Sequence, residues 1–231
     1  MGMNRRSRRR TATGQPRFSM QGEDAILCTA DPDGRLDIEV QRRVWATCRV
    51  IAAWNEVLEV VPGMNNLLAI FRTPIADFRA VRARMLDAWR AAPADPTDGR
   101  LVEIDVVYGG PAGEDLPFVA RATGLGVDAY VALHARAEYV VYALGSQPGF
   151  AYLGGLDPRL AVPRRETPRP RIERGSVIVG GNQTGVLART TPSGWHVIGR
   201  TELECFDPGR EPPVLLTPGD RVRFRAREIL A

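Results

Sequence analysis

Residues Gly145–Leu160 read GSQPGFAYLGGLDPRL and directly follow the apolar run Glu138–Leu144, EYVVYAL. The segment combines four glycines and two prolines with Phe150, Tyr152 and three leucines. Glycine and proline at this density disfavour a helix or a central strand, whereas ordinary surface loops carry less apolar material. The pattern therefore predicts a loop that leaves a buried strand and is covered by apolar surface, either of this chain or of a partner.

The chain after this segment consists of short strand candidates separated by glycine- and proline-rich turns. Many short strands with turn signals between them are typical of a β-barrel or a sandwich. Two short helical segments, Glu114–Thr123 and Asp128–Arg136, precede the strand Glu138–Leu144, and no helical pattern follows Arg136. The candidate strands are SVIVG, VLART, WHVIG, ECF, VLL and RVRFRA.

The first hundred residues show a different pattern, in which strands alternate with two amphipathic helices. Apolar residues near a 3.6-residue period predict helices over Leu36–Asn55 and Ile75–Ala91. Thr73 is the expected N-cap of the second helix, with Pro74 at its first position. The order β-α-β-β-α-β is the split βαβ pattern of ferredoxin-like domains. The strands of this pattern are predicted at Ala25–Thr29, Val57–Val61, Asn66–Arg72 and Leu101–Tyr108.

These two patterns predict an α+β chain with a ferredoxin-like α/β sandwich over 17–108 and a mostly β domain over 109–231. Residues 1–16 are predicted to form a disordered arginine-rich tail, because five arginines fall between Arg5 and Arg10 without an acidic residue. When these five are set aside, the formal net charge of +4 becomes −1. The folded part is therefore not predicted to bind nucleic acid.

Composition excludes several kinds of chemistry. The chain has no lysine, so it cannot form a lysine Schiff base, contain a Walker-A motif or carry biotin. Cys28, Cys48 and Cys205 are widely spaced, which argues against a disulfide framework and for a reducing compartment. His134 and His196 lie far apart, so no metal site is predicted. No secretory signal or apolar run of roughly 18 residues is present, and we expect a cytoplasmic protein without membrane contact.

A set of motifs in a fixed order carries a family resemblance. PGFAYLGGLDPRL is followed by VPRR, GSV, QTGV, PSGWHVIGRT, FDP and PGDRVRF, all between Pro148 and Phe224. This set resembles the family that holds the B subunit of bacterial 5-oxoprolinase, whose members are also described as allophanate hydrolase subunit 1 or as inhibitors of a sporulation kinase. The resemblance extends from about Phe18 to Phe224 and is most specific from Tyr139 onward.

The resemblance implies a C-terminal cyclophilin-like β-barrel behind the ferredoxin-like domain. It implies ATP-dependent opening of the lactam of 5-oxoproline to glutamate. It also implies a companion with a related barrel that resembles the C subunit of 5-oxoprolinase (allophanate hydrolase subunit 2), and a third protein, the A subunit. ATP, with magnesium, is expected to bind the complex rather than this chain alone. The chain departs from the family pattern at the expected site, at Ser146, Ala151, Asn182 and Ala135–Ala137.

Arginine is the expected cation of such a site. Lactams resist attack by water, and phosphorylation converts the carbonyl oxygen into a leaving group, a step that needs cations and oriented donors. Because the chain has no lysine, arginine must supply the protein cation. Arg200 is the first candidate, and Arg164 and Arg165 are further ones. A rim arginine paired with a carboxylate is the alternative for Arg200.

His134 and Gln183 join Arg200 in the predicted catalytic set. His134 matches a family histidine and is a candidate acid or base, the alternative being a cap at a helix C-terminus. Gln183 and Thr184 lie in GGNQTG and suit the orientation of an amide or phosphate oxygen, although a β-turn that needs glycine is the simpler explanation of this motif. The predicted substrate-binding residues are Pro148, Gly149, Phe150, Tyr152, Thr184 and Gly185.

For the aromatic residues of the segment, core packing is the competing explanation. Phe150 and Tyr152 form either a pocket wall, a subunit contact or part of the core. Trp195 is predicted to be a core residue, and the adjacent His196 is predicted to be exposed.

Two other functions fit the same resemblance. One is a component of an allophanate hydrolase or urea carboxylase, since related barrels occur in urea carboxylases. The other is a non-enzymatic inhibitor of a sporulation histidine kinase, in which the apolar loops serve only for contact. A biotin carrier and an amidase partner favour the first alternative. Inhibition that survives replacement of Arg200 and Gln183 favours the second.

Overall fold

The computed structural model describes residues 15–30, 36–93 and 99–230. The predicted disordered tail at 1–16 therefore lies almost wholly outside the described residues. The chain forms two compact units. In the described residues, the first unit comprises 15–30, 36–61 and 65–93, and the second comprises 62–64 and 99–230.

The first unit is a ferredoxin-like sandwich of one antiparallel sheet and two helices. Its core joins the sheet to the helices through buried apolar side chains such as Ile26, Val44, Leu67 and Met85. The sheet has the strand order β1-β2-β4-β3. The elements in chain order are β1 (Arg17–Gln21), β2 (Ala25–Thr29), α1 (Ile38–Ala52), β3 (Val57–Pro62), β4 (Asn66–Phe71) and α2 (Phe78–Ala91).

The fourth strand of this sheet is not the predicted one. β1 occupies the place beside β2, whereas Leu101–Gly109 belongs to the second unit. The boundary between the units therefore lies in 94–98 rather than after Tyr108. β1 is an edge strand with only Phe18 and Met20 half-buried, so its apolar pattern is too weak to detect in the sequence.

Helix α2 also begins later than predicted. Asp77 is its N-cap, and the Asp77 side chain accepts a hydrogen bond from the Ala80 amide. The predicted start at Thr73 and Pro74 is wrong, because that stretch is a bend held outside the helix. There the Ile75 amide donates to the carbonyl oxygen of Glu23 at 2.8 Å. In the first helix, Asp37 is the N-cap.

The second unit is a closed barrel of seven strands in the order β10-β7-β6-β13-β5-β12-β9, with β9 and β10 pairing to close it. A separate two-stranded sheet pairs β8 with β11. The elements in chain order are β5 (Leu101–Gly109), α3 (Leu116–Ala122), α4 (Val127–Arg136), β6 (Glu138–Leu144), β7 (Ala151–Gly154), β8 (Arg169–Ile172), β9 (Ser176–Gly180), β10 (Gln183–Val186), β11 (Thr191–Ser193), β12 (His196–Arg200) and β13 (Arg221–Leu230).

Strand alternation gives the barrel two apolar surfaces. Val177 and Val179 of β9 belong to the interior core, whereas Ile178 between them belongs to a second cluster on the outer face. Tyr152 lies between the core residues Ala151 and Leu153 and packs against the second cluster. We call this second cluster the outer aromatic cluster: Phe150, Tyr152, Ile172, Ile178, Leu187, Trp195 and Val197.

Helices α3 and α4 contribute buried residues to the barrel core, among them Leu116, Val119 and Tyr130. Among the described residues, no single helix is long and apolar enough to cross a membrane. Only α3 and α4 taken together pass that test of length and composition, and the chain bends by 91° between them.

Candidate functional site

A tight loop between β6 and β7 brings the quoted segment back onto the barrel. The Gly145 amide donates to the carbonyl oxygen of Phe150 at 3.1 Å, which closes the loop. Gly149 has φ +77°, and a Cβ there would lie 2.7 Å from Cβ of Phe206, so this position requires glycine. Ser146 also has a positive φ, 56°, which is uncommon for a residue with a side chain.

A pocket of about 340 Å³ opens beside this loop. Its apolar wall comes from the outer aromatic cluster, in which the ring of Phe150 packs edge-to-face on Tyr152 at 5.0 Å and on Trp195 at 6.1 Å. Gly180 lets the indole lie on β9, because a Cβ there would be 2.9 Å from the ring. The lining residues are Ser146, Gln147, Phe150, Tyr152, Arg164, Ile178, Leu187, Thr191, Pro192, Ser193, Gly194 and Trp195.

Two of the polar side chains that line the pocket, Arg164 and Gln147, have surroundings suited to a ligand. The guanidinium carbon of Arg164 lies 5.2 Å from the centre of the Trp195 ring, a cation–π contact. Oε1 of Gln147 is buried and has no hydrogen-bond partner within the described part of the chain. A small pocket with aromatic walls and a few oriented polar groups is the usual form of a small-molecule site.

The comparisons with known proteins agree with this fold. The model of the family "Carboxyltransferase domain, subdomain C and D" matches residues 16–216. The chain belongs to this family. The family predicted from the ordered motifs is confirmed by the protein named as the B subunit of 5-oxoprolinase in Escherichia coli O157:H7, which is 43% identical over 203 residues, 88% of this chain and 92% of that protein.

Solved structures show the same architecture for this carboxyltransferase domain. TTHA0988 superposes with a TM-score of 0.74 at 37% identity over 88% of this chain, which spans only 40% of the TTHA0988 chain. The urea amidolyase of K. lactis superposes with a TM-score of 0.78 over 92% of this chain and 15% of that chain. Identity to the amidolyase is 18%, so that likeness concerns the fold.

In this carboxyltransferase domain, His134 lies inside the barrel rather than in the pocket. Its side chain is fully buried, and the ring stacks on Phe224 with centroids 4.6 Å apart. Burial lowers the pKa of His134 to about 3, so the ring is neutral near pH 7. This placement argues against the predicted acid–base role, because a general acid or base needs contact with the reacting group.

The hydrogen bonds of His134 define its tautomer. Oγ1 of Thr184 donates to the carbonyl oxygen of Ile178 at 3.0 Å, so it accepts from Nε2 of His134 at 2.9 Å. Nδ1 therefore accepts from the Tyr108 hydroxyl at 2.8 Å. We call Tyr108, His134, Thr184 and the Ile178 carbonyl the interior polar chain. Thr184 is thus turned away from the pocket, contrary to its predicted contact with substrate.

The other residues of GGNQTG divide between the two faces of β10. Gly185 lies against the pocket wall, since a Cβ there would be 3.2 Å from the Phe150 ring. Gln183 is half-buried where β10 begins, paired with Gly180 across the hairpin. Pro148 is exposed and Gly149 is buried in the loop. Of the predicted substrate-binding residues, the pocket lining includes Phe150 and Tyr152.

Arg200 lies apart from that pocket. Its side chain is 44% exposed and pairs with Glu202 at 3.8 Å. It lines a separate depression together with Arg174, Thr201 and Glu204. The structure therefore does not bring the three predicted catalytic residues, His134, Gln183 and Arg200, into one pocket.

Asp115 was not found from the sequence, yet it organises the chain beside the pocket. Its carboxylate accepts two hydrogen bonds from Arg169, at 2.6 and 2.8 Å, and one from the Val197 amide at 2.7 Å. Arg165 also donates to it at 3.3 Å and is therefore not a free cation. Burial raises the pKa of Asp115, but the bonds from Arg169 and Val197 outweigh burial and hold the pKa below its usual value.

His196 is buried, so its predicted exposure is wrong. Its Nε2 lies 2.9 Å from the carbonyl oxygen of Pro163, and its ring stacks on Phe118 at 5.1 Å. Trp195 is buried as predicted, and it also lines the pocket. Gln147 was missed as well. The available signal was a polar side chain set among glycine, proline and aromatic residues in a tight loop.

Proposed function

We propose that this chain is the B subunit of a cytoplasmic bacterial 5-oxoprolinase that opens the cyclic amide of 5-oxoproline to glutamate with hydrolysis of ATP. The observation that carries the proposal is the 43% identity to a protein named as that subunit over 92% of the relative's length. A match over nearly the whole of both chains supports a shared role better than a shared fold alone does.

The pocket beside the β6–β7 loop is the proposed place for the substrate ring. Phe150, Tyr152 and Trp195 offer apolar and aromatic surface to its methylene groups, and the few polar groups orient it. A ring held in one orientation presents its carbonyl oxygen in one direction, which lowers the entropic cost of the transfer step.

Arg200 and Gln183 are the proposed catalytic groups of this chain. Phosphorylation of the lactam oxygen places negative charge on the transferred group, and a guanidinium stabilises that charge. Arg200 is available for this role because its partner Glu202 is 95% exposed and 3.8 Å away, so that ion pair is weak. Gln183 suits the orientation of an amide or phosphate oxygen.

A companion protein is proposed to complete the site. Arg200 lines one depression of the described barrel, and the aromatic residues line another. In the described residues, the cation therefore does not lie in the same pocket as the proposed substrate wall. We propose a partner with a related barrel that is similar to the C subunit of 5-oxoprolinase, and a third component, the A subunit. ATP with magnesium binds the assembled complex in this proposal.

The experiment is co-expression of this chain with the two companion proteins, followed by an assay of glutamate released from 5-oxoproline. Release is expected only with ATP and only from the complex. Turnover by the purified chain alone would contradict the proposal that the catalytic site is shared with a companion protein. Release from allophanate in place of 5-oxoproline would replace the proposal by the allophanate hydrolase alternative, and inhibition of a histidine kinase without turnover would replace it by the regulatory one.

Variants of the complex test the residue roles. Arg200→Gln is expected to lower kcat by about a hundredfold or more, because it removes a cation that acts on the transition state. Arg121→Gln, at an exposed position near the end of α3, is the matched control and should leave kcat unchanged. Equal rates for the two variants would remove Arg200 from the proposed site.

A further inference from the structure

We propose that the pocket beside the β6–β7 loop recognises its ligand through two groups: Gln147 accepts a hydrogen bond from a ligand N–H, and Arg164 binds a ligand carboxylate. The inference rests on the proposed function and specifies it further, since a cyclic amide that bears a carboxylate carries both groups. It assigns a specificity role to two residues that lie outside the proposed catalytic set.

Gln147 supplies the first part of the argument. Its Oε1 atom is buried beside the pocket and accepts no hydrogen bond within the described residues. A buried carbonyl oxygen without a partner costs free energy in the free protein, and a ligand N–H that reaches it removes that cost. The side-chain oxygen of glutamine accepts and does not donate, so the complementary ligand group at this atom is a donor.

The loop conformation holds this side chain in place. The backbone oxygen of Gln147 accepts from the Phe150 amide at 3.2 Å, and the Gly145 amide donates to Phe150. Ser146, the residue before Gln147, has φ +56°. An unfavourable backbone conformation that the surrounding loop maintains is typical of a side chain positioned in advance for a ligand.

Arg164 supplies the second part. Its guanidinium lies over the indole of Trp195 and has no carboxylate partner among the described residues. The neighbouring Arg165 differs, because it donates to Asp115. A guanidinium stacked on an aromatic ring keeps its N–H edge free, and that edge matches the two oxygens of a carboxylate. Arg164 is the only charged side chain in the lining of the described pocket, so the charge that this lining presents to a ligand is positive.

The walls between these two groups suit a small ring. Phe150, Tyr152 and Trp195 form an aromatic surface, and the volume of about 340 Å³ accommodates a small molecule. A lactam nitrogen is neutral and donates its N–H, so a cyclic amide that bears a carboxylate offers a donor to Gln147 and two carboxylate oxygens to Arg164.

The test is calorimetric titration of the full chain with three compounds. 5-Oxoproline has both groups. The lactone 5-oxotetrahydrofuran-2-carboxylate replaces the N–H by oxygen, and 2-pyrrolidinone lacks the carboxylate. The chain is expected to bind 5-oxoproline at least about tenfold more tightly than either analogue, because each analogue leaves one protein group unpaired. Equal affinity for the three compounds, or no binding of any, overturns the inference.

Variants assign each preference to its residue. Gln147→Leu should abolish the preference for lactam over lactone and leave the preference for the carboxylate, whereas Arg164→Met should do the reverse. Arg121→Gln is the control and should retain both preferences. If Gln147→Leu does not fold, Gln147→Glu is used, and it should weaken 5-oxoproline binding because it adds a negative charge.

The two proposals fail separately. If the complex cleaves 5-oxoproline while the chain shows neither preference, the recognition role is wrong and the proposed function stands. If the chain shows both preferences while the complex releases no glutamate, the recognition chemistry stands for another carboxylated cyclic amide, and the proposed function is wrong.

Discussion

The interior polar chain and the Phe150 wall of the pocket meet on opposite faces of β10, and the two sites differ in whether their buried polar groups have partners. Thr184 of β10 faces the interior and bonds to His134, whereas the next residue, Gly185, faces the ring of Phe150. Every described polar atom that we assign to the interior polar chain has a partner. In the pocket, Oε1 of Gln147 has none among the described residues.

This difference separates a structural role from a ligand-binding role. A completed network of buried hydrogen bonds rigidifies a core and leaves no group for a substrate. A buried acceptor that has no partner, on a residue that lines a pocket, is a group that a ligand donor can satisfy. By this criterion the histidine, although it is the residue type most often found in acid–base catalysis, serves the fold, and the glutamine of the loop serves recognition.

The largest expected effect is on stability, from His134→Leu. The change leaves the buried hydroxyl of Tyr108 without its partner and removes one bond from Thr184, so the free energy of unfolding should fall by about 2–4 kcal/mol. Denaturant unfolding measures it. Ligand affinity of the folded fraction should remain unchanged. An unaltered free energy of unfolding would show that the interior polar chain contributes little to stability.

The second effect is a pH dependence of stability. The pKa of His134 is about 3 when folded and about 6.5 when unfolded, so between these values the unfolded chain binds one proton more. The contribution of neutral His134 is complete above about pH 6.5 and is lost as the pH falls. Stability should drop by about 1.4 kcal/mol per pH unit below pH 6, relative to His134→Leu. Parallel pH profiles for the two proteins would contradict the assignment.

The third effect concerns the contact between Gly185 of β10 and the Phe150 ring in the pocket wall. Gly185→Ala places a Cβ 3.1 Å from the Ala151 carbonyl oxygen and 3.2 Å from the Phe150 ring, so the ring must shift. We expect a loss of about 1–2 kcal/mol in stability and weaker binding of 5-oxoproline. Gly126→Ala is the control, since its Cβ meets open space. Unchanged ligand affinity in Gly185→Ala would show that Phe150 does not contribute to ligand binding.

The smallest effect distinguishes two adjacent arginines. Arg165→Gln removes one of several donors to Asp115, and because the side chain is 32% exposed, solvent screening limits the loss in stability to less than about 1 kcal/mol. Preference for the ligand carboxylate should persist in Arg165→Gln and disappear in Arg164→Met. Thermal unfolding and calorimetry of both variants measure this, and the same ligand profile in both would contradict a specific role for Arg164.

The family, the two kinds of domain and most strands and helices follow from the amino-acid sequence alone. Ordered motifs such as PGFAYLGGLDPRL and PSGWHVIGRT identify the family because glycine and aromatic residues at set spacings meet requirements that few other residues satisfy. Gly149 illustrates this, since its positive φ and its contact with Phe206 exclude any side chain. Amphipathic periodicity likewise predicted α1 and the body of α2.

The pairing of Leu101–Gly109 and the selection of polar residues that face a ligand depend on the folded chain. A strand's pattern of alternation shows that it has two faces but does not name its neighbours, and here the long parallel pairing with β13 places it in the barrel. Burial and hydrogen-bond partners depend on residues distant in sequence. Tyr108 and Thr184 form hydrogen bonds with both ring nitrogens of His134, whereas Oε1 of Gln147 has no hydrogen-bond partner in the described chain. Residue type indicates what a side chain can do, and its surroundings decide whether that capacity is already used.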